Sequence, residues 1–341
     1  MTDKLLILGR TVLLALLVLL VICSGAWATL ALWYRLPDGR VVRALGSMAW
    51  ILLMLALVML AIDQHSWLPL LACVALHGVL LLWWIGITPS RQRDWRDDVA
   101  QLLTGTVQGD LVRLDNVRNF EWRSDTDYDI RWETRSYDLT GLVGADAVLS
   151  YWSGQAIAHA MISFGFDDGR HLVFSVEVRK SREQNYSSLG GFFKQFETIL
   201  IGADENDIIR VRTNVRGEDD YLYPLCVEPS TLRTLFLAYV HAANRLAAQP
   251  KFYNTFTSNC TTIVYRIARQ IDAGLPWDVR LLLTGYLPEY LHRIGAVDRS
   301  VPIEILRQRG QITRRARAIH PGMEFSRVIR DGGDGKPSDK R

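Results

Sequence analysis

The sequence predicts an α+β fold preceded by a helical membrane region, and three observations lead there. Residues 1 to 90 carry only 8 charged side chains, whereas the other 251 residues carry 67. Beyond Arg91, turn residues recur every 8 to 15 positions, with period-two apolar alternation between several of them. One later stretch, Ser230 to Ala247, instead sets its apolar residues at helical spacing. Strands and helices without strict βαβ alternation are the pattern of a mostly antiparallel sheet with packed helices. The 341-residue chain is 49% hydrophobic and 22% charged, too apolar for a disordered protein and too unevenly charged for a purely cytosolic single domain. Its net charge of +3 divides into +2 over 1–90, −5 over 91–305 and +6 over 306–341. No basic groove follows from that division, and no nucleic-acid partner is expected.

A lipid-crossing helix needs about 20 mostly apolar residues, because its backbone must satisfy its own hydrogen bonds where water is absent. Thr11 to Tyr34 runs 24 residues without a charge, Ala44 to Ile62 runs 19, and Gln64 to Ser90 runs 27. Three membrane helices are expected, near 11–33, 44–62 and 68–87. The first exceeds the ~7–15 apolar residues of a cleavable signal core and is succeeded by two more spans, so it is expected to remain. Trp33, Tyr34, Trp50, Trp67, Trp83 and Trp84 lie at or near the expected ends, as interfacial aromatics do. His77 falls inside the third span, either as a functional ionisable group or as a neutral ring bonded to a neighbouring helix. Arg35, Arg40, Arg43, Arg91, Arg93 and Arg96 against Lys4 and Arg10 would, by charge alone, put the large domain in the cytoplasm.

In the soluble part, 91–305, Asp94 to Leu103 reads as a short helix with an Arg/Asp face. Thr106 to Leu114 reads as strand broken by a Gly109-Asp110 turn, and Asn119 to Glu133 as a strand or exposed loop. Ile157 to Phe166 and His171 to Val178 are two strands joined by Asp167-Asp168-Gly169. Leu189 to Phe193 opens a short helix, and Phe196 to Ile201 and Ile208 to Thr213 are further strands. Ser230 to Ala247 is a helix with Ser230 as its N-cap, and a second helix runs from Asn259/Cys260 to about Asp272. Shorter helices are expected at 280–284 and 286–294. The segment 306–341 is a basic tail, Arg-rich and then Gly/Asp/Lys-rich, with disorder expected over about the last 20 residues.

Cysteine placement narrows the chemistry. Cys23 and Cys73 lie in expected spans, leaving Cys226 and Cys260 in the soluble part without metal-like spacing, so no metal or other cofactor is expected. Cys260 stands in Thr257-Ser258-Asn259-Cys260-Thr261-Thr262, immediately before an apolar-periodic helix. At a helix N-terminus, unpaired N–H groups and the helix dipole favour a thiolate, and amides near Asn259 and Cys260 could hold an oxyanion. The same cysteine could instead be a buried structural thiol, or bridge to Cys226 in an oxidising compartment.

A thiolate nucleophile needs a base, and the base an orienting group. Of the soluble histidines His159, His171, His241, His292 and His320, His159 lies among the small residues Ala158 and Ala160. Phe166-Asp167-Asp168-Gly169-Arg170 fits a three-residue hairpin loop with Gly169 left-handed in a bulge. In that register Phe166 faces Arg170, and His159 faces Glu177 across the pair. Glu177 could alternatively be a surface carboxylate paired with Arg179 or Lys180. The histidine strand precedes the cysteine helix by about 100 residues, the reverse of papain and the order of a circularly permuted papain-like or NlpC/P60-like arrangement.

Ile157-Ala158-His159 through Ser163-Phe164-Gly165-Phe166, Ser175-Val176-Glu177-Val178-Arg179, Ala203-Asp204-Glu205-Asn206-Asp207 with Arg210-Val211-Arg212-Thr213, and Phe252-Tyr253-Asn254-Thr255 with Ser258-Asn259-Cys260-Thr261-Thr262 together resemble the Lnb-type N-terminal periplasmic domain family. The resemblance covers roughly residues 90 to 290. The family's best-known member is a lipoprotein N-acyltransferase that moves a fatty acyl chain from a phospholipid to the α-amino group of a diacylglyceryl-cysteine lipoprotein. The resemblance places its Cys/His pair on Cys260 and His159 and implies a periplasmic domain on a multi-pass bacterial inner-membrane protein, against the arginine count. In that acyltransferase the membrane segment comes after the domain, whereas here the apolar stretches precede it.

The leading expectation is a membrane-anchored cysteine acyltransferase with phospholipid and lipoprotein substrates, in which Cys260 attacks, His159 moves the proton and Glu177 orients the ring. Trp152, Tyr253 and Asn254 are candidates to line the acyl or headgroup site, with core packing the alternative for the two aromatics. Arg179 and Arg212 are candidates for a phosphate contact, with surface ion pairs the alternative. A cysteine peptidase or amidase acting on peptidoglycan or peptides would use the same residues with water as acceptor. A non-enzymatic envelope assembly protein would need Cys260 only as structure.

Overall fold

The computed structural model describes residues 2–37, 39–90, 92–320 and 322–331, the side chains at 2–7, 10, 11 and 13–18 excepted. Two compact units result, Met1–Ser90 with Ser187–Gln195, and Arg91–Tyr186 with Phe196–Arg341.

The first unit contains α1 (Thr2–Arg35), α2 (Gly39–Asp63) and α3 (Leu68–Gly86). The expected spans 44–62 and 68–87 coincide with α2 and α3, and these two helices are long and apolar enough to cross a membrane. The expected span 11–33 lies within α1, where the apolar stretch Leu19–Arg35 is shorter and several preceding side chains are outside the described residues. Leu52, Leu55 and Met59 on α2 and Leu82 and Ile85 on α3 are all exposed, as on a helix whose outer face meets lipid. Between α1 and α2, small residues allow close approach: Ala28, Ala31 and Ser47 are buried, and the Ser47 hydroxyl donates to the Thr29 carbonyl at 3.2 Å. His77 bonds its own helix at the Cys73 carbonyl, 2.9 Å away, and its ring meets Trp50 edge-on. Residues 187–195 belong to this unit through Phe193, which stacks on Tyr34 at 5.5 Å. Lys194 Nζ also donates to the Trp84 carbonyl at 2.7 Å, a cation at the C-terminus of α3. The short helix expected at 189–193 is one 3-10 turn, Gly190–Phe193.

The second unit is built on an eight-stranded sheet. Its strands are β1 (Thr104–Gln108), β2 (Leu111–Arg118), β5 (Trp132–Asp138), β6 (Leu142–Ser153), β7 (Ile157–Phe166), β8 (His171–Arg179), β9 (Glu197–Ala203) and β10 (Asp219–Pro224). The order is β1-β2-β9-β8-β7-β6-β10, with β5 on β2; β2 and β9 pair in parallel and the other pairs are antiparallel. A separate hairpin, β3 (Glu121–Trp122) with β4 (Tyr128–Asp129), occupies the segment expected as strand or loop.

Helices cover both faces of the sheet. On one side, α5 (Pro229–Ala248), α6 (Cys260–Ile271) and α7 (Leu287–Ile294) close a core containing Phe164, Phe174, Phe236 and Tyr239. Met161, Val173 and Ile201 face the other way, onto α4 (Glu205–Arg210), α9 (Thr313–Arg317) and α10 (Phe325–Val328). With both faces covered, β9 is buried at every position and shows no alternation.

Several elements differ from the sequence expectation. Ile208 to Thr213 is not a strand: Asp204 caps α4 by accepting from the Asn206 amide at 3.0 Å, and the helix continues through a π-helical turn, Val211–Val215. A short buried apolar run reads alike as strand or helix. The central strand β6 is absent from the sequence reading, because Ala147, Val148, Leu149 and Ser150 are all buried and leave no period of two. The helix expected at 94–103 is a single 3-10 turn, Asp97–Val99. Ser230 does not cap α5, which begins one residue earlier with Pro229 at N1 behind Glu228. The basic segment is no loose tail as far as 331. α8 (Ile303–Gly310), α9 and α10 succeed one another, Ile312, Ala316, Phe325 and Ile329 are buried, and Arg330 pairs with Glu205 at 2.6 Å and Asp146 at 2.7 Å. Residues 332–341 lie outside the described ones.

Candidate active site

Cys260 is the first residue of α6, and the chain before it is built to hold it there. Asn259 and Thr262 form a reciprocal capping box: the Asn259 carbonyl oxygen accepts from the Thr262 amide at 2.8 Å, and the Thr262 hydroxyl accepts from the Asn259 amide at 3.0 Å. Asn259 also donates its side-chain amide to the Thr255 carbonyl at 2.8 Å. Upstream, Asn254 accepts from the amides of Phe256 and Thr257, at 3.1 and 2.9 Å, in an Asx turn. Asn254 and Asn259 thus position the cysteine, and both side chains are committed to backbone groups. The Asn259 backbone amide is likewise taken up by the Thr262 hydroxyl, whereas the amides of Cys260 and Thr261 open α6 ahead of the helical ladder.

The base comes from the β7–β8 hairpin. Phe166 and Arg170 close its three-residue loop, the Phe166 amide donating to the Arg170 carbonyl at 3.0 Å, and Gly169 takes φ +86°, where a side chain would be strained. The register is set by that loop, with Gly165 opposite His171 and Met161 opposite Ser175. Beyond that last ladder pair, His159 Nε2 lies 3.1 Å from Glu177 Oε1 and 2.7 Å from Ser175 Oγ, and the Ser175 hydroxyl donates to Glu177 at 2.8 Å. The His159 ring and the Ala160 amide lie near enough to act electrostatically on the Cys260 thiol, and the Thr261 hydroxyl stands 3.8 Å from the sulfur.

Behind Glu177 stands Arg212, from the π-helical turn. Its guanidinium spans Glu177 Oε1 at 2.8 Å and Glu218 Oε2 at 3.1 Å and is itself buried. The Ser150 hydroxyl then contacts Glu218 and lies 2.5 Å from Asp220. Charges of opposite sign alternate from Cys260 through His159, Glu177 and Arg212 to Glu218. A buried ion is tolerable only when paired in this way.

The electrostatics reflect that alternation. Burial works against a charged His159, but the adjacent Glu177 carboxylate outweighs it and lifts the imidazole to about 9. Burial raises the Cys260 thiol, yet the His159 charge and the hydrogen bonds from the ring and Ala160 bring it down to about 7. Glu177 is also penalised by burial, and the charges of His159 and Arg212 still hold it well below the ordinary carboxylate range. Asp220 is lifted to about 7, mainly by burial. A thiolate–imidazolium pair is therefore the favoured form between about pH 7 and pH 9. Because the thiolate is the reactive species, alkylation of Cys260 by iodoacetamide is expected to rise with pH and reach half its plateau near pH 7. An unactivated thiol gives about 8.5. His159→Ala moves that midpoint upward, and a wild-type midpoint at or above the unactivated value overturns the pairing.

The other sequence candidates divide. Tyr253 is buried beside Cys260 and hydrogen-bonds Tyr186, and Trp152 meets Tyr186 edge-on while half exposed, so these rings form one aromatic wall. Arg179 is turned away: it donates to the Val99 and Ala100 carbonyls at 3.0 and 2.7 Å and stacks over Trp95, neither a phosphate contact nor a surface pair. Arg212 is spent on Glu177 and Glu218, and it too makes no surface pair. Cys226 and Cys260 are free thiols, so no bridge joins them. Ser150 and Glu218 are absent from the sequence reading, and Ser175 enters it only within the resembling run and with no role, although it lies two residues from Glu177 on one strand face. Among the described residues, no group of three or more His, Cys, Asp or Glu could hold a metal ion.

No curated protein and no solved structure matches the chain. A family model described as the Lnb N-terminal periplasmic domain matches residues 128–285, from β4 to the turn before α7. That range holds Cys260, His159, Glu177 and Arg212. Over that range the chain is similar to the Lnb N-terminal periplasmic domain family.

Proposed function

We propose that this chain is a membrane-anchored thiol acyltransferase of the bacterial envelope, taking an acyl group from a phospholipid and passing it to an amine of a lipoprotein. The observation that carries this reading is the Cys260 thiol at the start of α6, beside a histidine whose proton Glu177 stabilises, with Arg212 in turn holding Glu177. The thiolate attacks the ester carbonyl, forming the C–S bond while the amides of Cys260 and Thr261 face the developing oxyanion. The ester C–O bond then breaks, and the departing lysolipid oxygen takes the proton from His159. In the second half, the acceptor amine attacks the thioester carbonyl, its proton passes to His159, and the thiolate is released. Glu177 stays ionised throughout and holds the ring.

Support comes from three sides. Two helices fit for a membrane share the chain with the domain, keeping it near a lipid donor. The matched family is described as a periplasmic domain, which supports a site outside the inner membrane. The order of histidine strand before cysteine helix agrees with a permuted papain-like arrangement.

Intact-mass measurement of the purified protein after exposure to phosphatidylethanolamine vesicles tests the reading. An acyl adduct on Cys260, discharged by a peptide bearing a free N-terminal amine, is expected. Peptide cleavage without any adduct would replace it with a peptidase or amidase, in which water is the acceptor.

A further inference from the structure

The second unit contains an apolar cavity of about 370 Å³, walled by β6 and β7 on one side and by α5, α6 and α7 on the other. Leu149, Ile162, Leu235, Val264, Leu291 and Ile294 supply much of its surface. Its charged neighbours, Glu228 and Asp272, are exposed and mark a rim. Close-packed interiors leave few voids larger than a water molecule, and small-molecule sites occupy about 300–1,000 Å³. This space has the size of a ligand site.

Two wall residues connect it to the nucleophile. Ala160 is one, its amide acting on the Cys260 thiol; Thr261 is the other, next in the chain, with its hydroxyl 3.8 Å from that sulfur. The cavity thus reaches residues adjacent to the sulfur, although Cys260 itself is not part of the lining. Its lining selects against a peptide, whose every unit would bring an amide and a carbonyl to be satisfied. The Tyr265 and Tyr290 hydroxyls in the wall are already bonded to the Leu275 and Pro276 carbonyls. Tyr239 alone among these tyrosines has a buried hydroxyl without a partner among the described residues. A hydrocarbon chain needs no partner.

We infer that this cavity holds the alkyl chain of the acyl group while it is thioester-linked to Cys260. The inference rests on the acyltransferase reading for its biological donor, but chain binding can be measured apart from it. Activated p-nitrophenyl esters acylate a nucleophilic cysteine without any lipid donor, so a series from acetate to dodecanoate reads the cavity directly in the full chain held in nanodiscs. The rate of Cys260 acylation, monitored by p-nitrophenol release with Cys260→Ala as blank, is expected to rise about threefold to fourfold per added methylene until the cavity is full. Ala268→Phe on α6 and Thr231→Phe on α5 each fill it from a different helix. Both are expected to keep the acetate rate within about twofold and to lose the rise beyond short chains. A flat wild-type series overturns the inference, as does an unchanged slope in both filled variants, which would assign the rise to partition into lipid. A slope abolished by filling supports the cavity even if no phospholipid serves as donor. Adduct formation from phospholipid with a flat ester series would retain the reaction and remove the cavity.

Discussion

Cys260→Ala is expected to abolish the proposed acyl transfer, with a loss on the order of 10⁴-fold or more, because the proposed covalent intermediate forms on its sulfur. His159→Ala costs about 10²–10⁴-fold, the usual worth of a positioned acid–base group. It also withdraws the charge that lowers the thiol, so the residual rate shifts to higher pH. The two losses do not add, since both residues serve one step: the double variant is expected to match Cys260→Ala alone. Measuring amine-linked product by mass spectrometry, with thermal melts to show intact folding, checks all three. Full activity in a folded Cys260→Ala would end the enzyme reading and leave a structural role in envelope assembly.

Arg212→Met unsettles both stability and chemistry. It leaves Glu177 and Glu218 as buried carboxylates without their shared cation, and removing one partner of a buried charge pair costs about 3–5 kcal/mol. For a unit of this size each kcal/mol is worth about 2–4 °C, so a melting-temperature drop of about 6–20 °C is expected. The sign with pH is also set. Glu177 has a folded-state value below its unfolded one, so its contribution is present above the ordinary carboxylate range and lost as pH falls through the depressed value. Without Arg212 that value rises, and acid unfolding begins at higher pH. Arg212→Lys keeps a charge but not the fork that spans two carboxylates, and it recovers only part of the loss. A variant as stable as wild type would show the clamp to be dispensable.

The two segments carrying the chemistry were legible for local reasons. An apolar-periodic helix behind Asn259 announces its own start, since the cap is a contact over three residues. The β7–β8 register is fixed by a loop in which only Gly169 suits the left-handed position, and a fixed register puts Glu177 beside His159. Arg212 was legible as a charged residue but not in its role. Its segment reads as a strand, and only the helix α4 with its π turn brings the guanidinium to Glu177, 35 positions away in the chain. Arg179 shows the opposite outcome, an arginine two strand positions from the acid that the fold points at two carbonyls.

By itself the sequence determined the apolar helical beginning, the α+β character of the domain after Arg91, and the pairing of a helix-opening cysteine with a hairpin histidine. Each rests on short-range physics: hydropathy over a helix length, turn geometry, and a cap. Tertiary structure alone decided which groups surround that pair, because burial and long-range pairing are properties of assembled layers and not of any window of residues. It made β6 a central strand despite its missing alternation, and it folded the basic segment after 306 into the domain through Arg330. It also set the charges of the site, where Glu177, held by Arg212, favours the imidazolium and the imidazolium favours the thiolate, against the cost of burial.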